Sequence, residues 1–246
     1  RQAAAVDLSE WSGVWVIAEH TENGLRPGTI ELIGEGRKLA HGLGTRLEVV
    51  LMGDETGSLA EELSEYGAHK VYLAESPVLK EYRTGPYTDI LCGLINRHKP
   101  EIVLYSATNQ GRDLAPRVAA RLGAGLTADC TSLELAGDDL LAEGGGTDSR
   151  LEGLTGEQVG RLLVQTRPAF GGNLMATILC PRTRPQMATV RPGVMKRAEK
   201  TANPTAEIEH VKAELDEKAA ATKILEIIRQ EGEGASLQEA DVIVSG

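Results

Sequence analysis

Apolar and polar positions alternate between two patterns along the first half of the chain. Four short apolar runs have the length and the β-branched or aromatic content of buried strands, and each precedes a stretch with helical spacing and terminal Pro or Gly. Four such units in succession predict an α/β fold with a doubly wound, mainly parallel sheet of the Rossmann-like nucleotide-binding type. Ser58 is the predicted N-cap of the second helix. The predicted strands are 13–20, 46–53, 70–75 and 101–108, and the predicted helices are 27–44, 58–67, 86–99 and 111–123.

After residue 130 the helical spacing disappears and strand patterns follow one another almost directly, which predicts a strand-rich extension of the core. A Gly- and Asp-rich stretch, 136–158, is typical of a hairpin on the surface. Further on, 201–207 has the composition of a linker, 219–230 has helical composition, and 240–246 predicts a strand that enters a turn. The other strands predicted in this half are 131–135, 161–170, 173–181, 186–193 and 207–215.

The composition narrows the functional classes. The 246 residues suffice for one large or two smaller α/β units, and the formal net charge of −10 argues against a nucleic-acid or anionic-membrane surface. No apolar run approaches the ~20 residues of a membrane helix. Cys92, Cys130 and Cys180 are too far apart for a metal or disulfide motif, so we interpret them as buried small residues of a cytoplasmic protein.

The sequence carries no motif of an autonomous enzyme. It has no GxxxxGKS/T phosphate loop, no GxGxxG after a strand and no GxSxG nucleophile elbow. Candidate binding residues must therefore be sought in stretches that match no standard motif.

The first such stretch is SATNQGRDLAPRVAARLGAGLTADC, residues 106–130. Its small and polar residues follow the fourth predicted strand, and open α/β sheets bind ligands at that edge. The alternative is an ordinary helix start, with Asp113 favourable to the helix dipole and with Arg117 and Arg121 on a solvated face. The sequence leaves both interpretations open.

The second stretch is TRPAFGGNLMATILCPRTRPQMATVRPG, residues 166–193. The proline after Arg167 favours extended backbone there, and the two glycines after Phe170 permit a sharp bend or a close approach to a ligand. One interpretation is a strand with a glycine bulge and with Phe170 in the core. The other places Arg167 beside a flavin or phosphate. At ~4 Å and an effective dielectric of ~20, its fixed charge would favour an anion by about 4 kcal/mol before desolvation.

These two stretches resemble the α subunit of electron transfer flavoproteins, and the resemblance extends over about 11–246. The second stretch resembles the anaerobe and nitrogen-fixation branch of that family, which includes electron-bifurcating members. The resemblance implies FAD as the cofactor and an electron transfer flavoprotein β subunit as the partner. It also implies a flavin dehydrogenase such as an acyl-CoA dehydrogenase as a redox partner, with ferredoxin or flavodoxin as an acceptor in bifurcating members.

The resemblance assigns a role to residues of the second stretch. It implies that Arg167 is the contact that the α subunit makes with a flavin held mainly by the β subunit. Phe170, Gly171 and Asn173 are secondary contacts in the same turn.

The resemblance also divides the chain. It implies an N-terminal linker over 1–12, the N-terminal α/β domain over 13–200, and a linker with a helix over 201–239. Residues 240–246 would be the first strand of the FAD-binding domain, because Ser245 and Gly246 match the start of the Ser-Gly-Gly-Arg-Gly segment that opens this domain in the family. The rest of the domain would then follow Gly246.

Two other functions stay open beside electron transfer. One is a nucleotide-binding module of the same α/β class without redox function, against which the missing phosphate loops argue. The other is a non-redox structural clamp that shapes the flavin site of a partner subunit, which is compatible with electron transfer by the whole protein.

Overall fold

The chain alternates strands and helices as its hydrophobic pattern predicts. A computed structural model describes residues 8–137, 151–202, 204–212, 222–228 and 242–245. All four predicted strand–helix units of the first half are present, with ends that differ by a few residues. The strands are β1 Val14–Ile17, β2 His20–Thr21, β3 Gly24–Leu25, β4 Leu47–Gly53, β5 Lys70–Glu75, β6 Ile102–Ser106, β7 Leu126–Cys130, β8 Ser132–Leu135, β9 Leu163–Ala169, β10 Leu174–Ile178, β11 Gln186–Val190 and β12 Glu207–His210. The helices are α1 Pro27–Gly42, α2 Gly57–Glu65, α3 Thr84–His98, α4 Asn109–Leu122 and α5 Gly156–Gly160.

Seven strands form the main sheet in the order β12-β5-β4-β1-β6-β11-β7. Every neighbouring pair in it is parallel. From β1 the chain first adds strands on one side and then returns to the other side with β6. The predicted doubly wound parallel sheet is therefore confirmed, with the strand order reversing between β1 and β6.

Helices cover both faces of this sheet. Val14 and Val16 of β1 belong to one core cluster, and the alternate residues Trp15 and Ile17 belong to the other. Strands buried on both faces read as continuous apolar runs, which is why the sequence marked them clearly. The first cluster includes Leu32 and Leu39 of α1 and Leu63 of α2, and the second includes Leu91 of α3 and Leu114 and Val118 of α4.

The second half differs from the predicted extension in two ways. β8, β9 and β10 do form a separate antiparallel sheet, but β11 returns to the main sheet between β6 and β7. β7 was not predicted as a strand, because the segment around Gly125 and Ala128 lacks a run of β-branched residues. Most of the surface hairpin predicted over 136–158 lies outside the described residues.

The predicted cap of α2 is wrong. The helix begins at Gly57, so Ser58 lies inside it, and the preceding Thr56 makes no side-chain capping bond. The backbone N–H of Thr56 instead donates to Glu75 Oε1 at 2.6 Å. This carboxylate from the end of β5 fixes the loop between β4 and α2.

Beyond residue 200, the strand expected over 207–215 is present as β12, which pairs with β5 at the edge of the main sheet. The helix predicted over 219–230 is absent from its described part, because residues 222–228 are exposed and bury no apolar face. Residues 242–245 are also exposed and form no strand, since a strand needs a partner for its backbone hydrogen bonds. No helix within the described ranges has the length and apolarity to cross a membrane.

Candidate functional site

The β9–β10 hairpin holds four of the predicted site residues. Its strands pair without a register shift, with Arg167 opposite Ala176, so the bulge interpretation is wrong. We call residues 170–173 the hairpin tip. Phe170, Gly171 and Gly172 have φ values of 50, 71 and 90°. Because successive left-handed conformations are strained for residues with a Cβ, the two glycines are what permits this turn.

The hairpin tip carries an exposed apolar surface. Phe170 is 82% exposed, and Leu174 and Met175 at the start of β10 are 60% and 58% exposed. The interpretation of Phe170 as a core residue is therefore wrong. Large apolar side chains grouped at an exposed turn indicate a surface that another protein or a ligand covers.

Arg167 stands in β9 just before the tip and is half-buried. Its Nε donates only a long hydrogen bond, 3.4 Å, to the carbonyl oxygen of Pro168. Within the described parts of the chain, no carboxylate lies within ion-pair distance of its guanidinium. Its positive charge is thus available to a group outside this chain segment.

A second group of charges lies at the carboxyl edge, by which we mean the edge where the parallel strands of the main sheet end. Asp129 of β7 accepts two hydrogen bonds from Arg191, which follows β11: Nε to Oδ1 at 3.2 Å and Nη2 to Oδ2 at 2.6 Å. Arg112 in the first turn of α4 donates from Nη2 to Oδ1 at 3.1 Å. We call Arg112, Asp129 and Arg191 the Arg–Asp cluster.

The backbone holds Asp129 in an unusual conformation. Its φ is 63°, and the register between β7 and β11 shifts at this point. The Asp129 N–H donates to Thr189 Oγ1 at 2.9 Å, which fixes the peptide in that position. Non-glycine residues with such φ values persist where the surrounding contacts over-determine them, and they concentrate at functional sites.

Arg167 belongs electrostatically to this cluster. The Thr131 N–H donates to the Thr166 carbonyl oxygen at 2.9 Å, which joins the chain after β7 to β9. Hydrogen bonds from Arg191 lower the pKa of the Asp129 carboxyl, and the charges of Arg112 and Arg167 act in the same direction. The arrangement therefore collects three guanidinium groups around one ionised carboxylate.

A crevice opens at the carboxyl edge between β1 and β6, where open α/β sheets bind ligands. Two adjoining cavities of about 370 and 600 Å³ share Arg26, Tyr82 and Gln110 in their walls. Glu19 at the end of β1 lies in the smaller one and is only 3% exposed. The Thr108 hydroxyl donates to its carboxylate at 2.8 Å and accepts the N–H of Gly111 at 3.1 Å. Thr108 therefore caps α4 while it fixes Glu19.

The charges of this crevice disfavour a phosphate group. Burial raises the pKa of the Glu19 carboxyl, and the hydrogen bond from Thr108 and the charge of Arg26 only partly oppose this. Five carboxylates line the two cavities against two fixed cations, so an anionic ligand would meet net repulsion. The carboxylates are Glu19, Glu22, Asp54, Glu55 and Glu81, and the cations are Arg26 and Lys80.

Asp113, Arg117 and Arg121 are exposed residues of α4. Asp113 accepts hydrogen bonds from Tyr82, at 2.6 Å, and from Thr84. Arg117 is exposed, and Arg121 pairs with Asp89. The solvated-face interpretation of this helix is correct for these three residues.

The cysteines offer no reactive or metal-binding site. All three are free, and Cys92 and Cys130 are buried as predicted, whereas Cys180 is half-buried. Burial raises the pKa of the Cys130 thiol to about 12, so it stays protonated at neutral pH. The described residues contain no group of His, Cys, Asp or Glu side chains that could hold a metal ion.

The structure brings some of the predicted site residues together and leaves others apart. Arg167, Phe170, Gly171 and Asn173 lie in one hairpin, whereas the exposed Ser245 makes no hydrogen bond to it among the described residues. Gly246 lies outside the described residues. The Arg–Asp cluster was not predicted from the sequence, because Asp129 is 17 residues from Arg112 and 62 from Arg191. The available signal was position, since Asp129 lies near the end of β7, Arg191 directly follows β11, and Arg112 lies in the first turn of the helix after β6.

Comparison with known proteins gives consistent matches. The family model described as the electron transfer flavoprotein domain matches residues 14–216. The electron transfer flavoprotein subunit alpha of Megasphaera elsdenii is 42% identical over 98% of this chain, and the matched region spans 65% of that relative. The acryloyl-CoA reductase electron transfer subunit beta of Anaerotignum propionicum is also 42% identical, over 98% of this chain and 66% of the relative. The LctC subunit of the lactate dehydrogenase (NAD(+),ferredoxin) of Acetobacterium woodii is 39% identical over 99% and 53%, respectively.

Proposed function

The chain belongs to the electron transfer flavoprotein family, and we propose that it works as an α subunit, which together with a β subunit transfers electrons through FAD. The chain spans about 65% of the length of the α subunit from Megasphaera elsdenii, so the activity of the whole protein is part of this proposal. Within it, the present chain supplies the α/β domain and the hairpin that meet the flavin held mainly by the β subunit.

Arg167 is the observation that carries the proposal. Its guanidinium has no carboxylate partner among the described residues, and it stands beside an exposed apolar tip. This donor set fits a flavin, because an aromatic ring system can cover apolar side chains while a fixed cation favours its anionic reduced form. Bound FAD supplies the reversible electron chemistry. Arg167 supplies charge and hydrogen bonds, and Phe170, Gly171 and Asn173 shape the same contact.

The redox partners that we propose are a flavin dehydrogenase such as an acyl-CoA dehydrogenase and, for bifurcation, ferredoxin or flavodoxin. The names of two relatives support these classes, since one is an acryloyl-CoA reductase electron transfer subunit and the other is a subunit of a lactate dehydrogenase (NAD(+),ferredoxin). A cytoplasmic location is part of the proposal, because free cysteines suit a reducing compartment.

The proposed division of the chain keeps the α/β domain at 13–200, preceded by a linker over 1–12. A connecting segment follows over 201–239, and the first strand of an FAD-binding domain over 240–246. Ser245 and Gly246 are the proposed first edge of a second flavin site in that domain. The alternative of a nucleotide-binding module is weaker, because the acidic crevice repels phosphates. The clamp function, which is to shape the flavin site of the partner subunit, is the role that we propose for the present chain within the electron-transfer complex.

Arg167→Ala in the complete heterodimer tests the proposal. Loss of the cation should make the reduction potential of the flavin at the subunit interface more negative by ~28–59 mV. For one electron this shift corresponds to a three- to tenfold change in the ratio of reduced to oxidised flavin. The measurement is a spectroelectrochemical titration of both flavins.

The matched control is Arg182→Ala, an equally cationic but exposed residue before β11, at the opposite edge of the sheet. Unchanged potentials of both flavins in Arg167→Ala would refute the proposed contact.

A further inference from the structure

The Arg–Asp cluster and Arg167 form one unit of charge. Both carboxylate oxygens of Asp129 accept hydrogen bonds from Arg191, and one of them also accepts from Arg112. Arg167 has no carboxylate partner among the described residues. Arginine stays protonated at any working pH. Three cations around one ionised carboxylate give a local charge of +2, in a chain whose formal net charge is −10.

This unit is also rigidly placed. The Thr189 hydroxyl fixes the peptide of Asp129, and Arg112 is tied to the sheet by a second bond from Nε to the Ala107 carbonyl oxygen at 2.8 Å. The Asp129 carboxylate is only 19% exposed, whereas the Arg112 and Arg191 side chains are about half exposed. These two guanidinium groups are therefore accessible from solvent, and the bond between Thr131 and Thr166 places β9, which carries Arg167, beside the end of β7.

We propose that Asp129 and Arg191 are positioning residues that set the net positive charge around Arg167 and thereby the electrostatic potential at the flavin. Arg191 occupies the carboxylate of Asp129, and so leaves the guanidinium of Arg167 uncompensated. This inference rests on the proposed contact between Arg167 and a flavin.

The geometry predicts opposite effects for the two residues. Without Arg191, one carboxylate oxygen of Asp129 loses its partner and becomes available to Arg167, and the local charge falls from +2 to +1. Without the charge of Asp129, the local charge rises to +3. Asparagine has the shape of aspartate and tolerates the left-handed φ of this position, so Asp129→Asn changes the charge and preserves the backbone.

The test compares Arg191→Gln, Asp129→Asn and the double variant in the complete heterodimer. Arg191→Gln should shift the reduction potential of the interface flavin to more negative values, and Asp129→Asn should shift it to more positive values. Each shift should be ~28–59 mV, a three- to tenfold change in the ratio of reduced to oxidised flavin. The double variant restores the charge of +2 and should return to the wild-type potential. Arg191→Lys keeps the charge and should stay near wild type, although it loses the bidentate geometry.

The matched control is Arg121→Gln, which breaks the exposed ion pair with Asp89 at the far end of α4 and should leave the potential unchanged. Thermal unfolding and the mass of the assembled heterodimer verify that each variant folds. A purely structural role would shift both single variants in one direction and the double variant further, which would overturn the inference.

The outcomes also separate this inference from the proposed function. If Arg167→Ala leaves the potential unchanged, the flavin contact itself is refuted. If Arg167→Ala shifts the potential and Arg191→Gln does not, the contact stands and the role of the Arg–Asp cluster is refuted.

Discussion

Glu19 shows how the surroundings of one residue set its charge. It is 3% exposed at the end of β1, and burial raises the pKa of its carboxyl more than the Thr108 hydroxyl and Arg26 lower it. An unfolded Glu titrates near ~4.3. Between that value and the raised pKa of the folded state, the native protein binds more protons than the unfolded chain. The stability therefore falls as the pH rises through this window.

Glu19→Gln should remove this pH dependence. Relative to the variant, the wild-type free energy of unfolding is expected to be highest at about pH 4 and to decline as Glu19 ionises towards neutral pH. Urea denaturation of both proteins across this range measures the difference. The same substitution at the exposed Glu61 is the control, and an equal pH dependence in both comparisons would contradict the prediction.

At the scale of the element, the β9–β10 hairpin separates folding from recognition. β9 pairs with β8 on one side and with β10 on the other, while the tip projects large apolar side chains into solvent. Side chains that are this exposed add little to the stability of the free chain. The same side chains become important once a partner desolvates them.

Phe170→Asn should therefore leave the stability within about 0.5 kcal/mol of wild type, because asparagine also accepts the positive φ. The affinity for the β subunit should fall at least tenfold, which corresponds to about 1.4 kcal/mol. Thermal unfolding and calorimetric titration with the β subunit measure the two effects.

Ile228→Asn is the control for Phe170→Asn, because Ile228 is also 82% exposed. An equal loss of affinity in both variants would show that the hairpin tip is not a specific contact.

Local and non-local signals explain which elements could be predicted from the sequence. Each strand–helix unit from β1 to α4 can be recognised from its own residues, by its apolar run and by helix-end signals such as Pro27 at the start of α1. The insertion of β11 between β6 and β7 depends on pairing between residues far apart, which periodicity does not encode. The same distinction holds for the candidate site. Arg167 and Phe170 lie in one stretch that is recognisable in the sequence, whereas the bond between Asp129 and Arg191 joins two stretches that are far apart in the sequence.

At the scale of the whole molecule, β11 connects the two halves of the core. Met187 packs in the cluster under α3 and α4, and Ala188 and Val190 pack in the cluster under α1 and α2. All three side chains are buried, and the strand pairs on both sides. The sheet is therefore incomplete until residue 190 is present.

A chain of residues 8–137 should consequently fail to fold, although it contains the first four strand–helix units. It would expose the inner edges of β6 and β7 and leave both core clusters open. A chain of residues 8–212 should unfold in one cooperative transition. Circular dichroism and size-exclusion chromatography compare the two, and a soluble 8–137 chain with a cooperative transition would contradict the prediction.

The position of β12 also determines the reach of the chain that follows it. β12 runs parallel to the other strands, so the chain reaches the carboxyl edge at the end of β12. Six inter-strand spacings separate β12 from β7, a distance of about 29 Å. About nine extended residues cover that distance, fewer than the chain provides over 213–239. Arg83 donates to the carbonyl oxygen of Thr222 at 3.1 Å, which places Thr222 near the start of α3. The segment 213–239 is thus long enough to reach from β12 to the side of the sheet that carries Asp129.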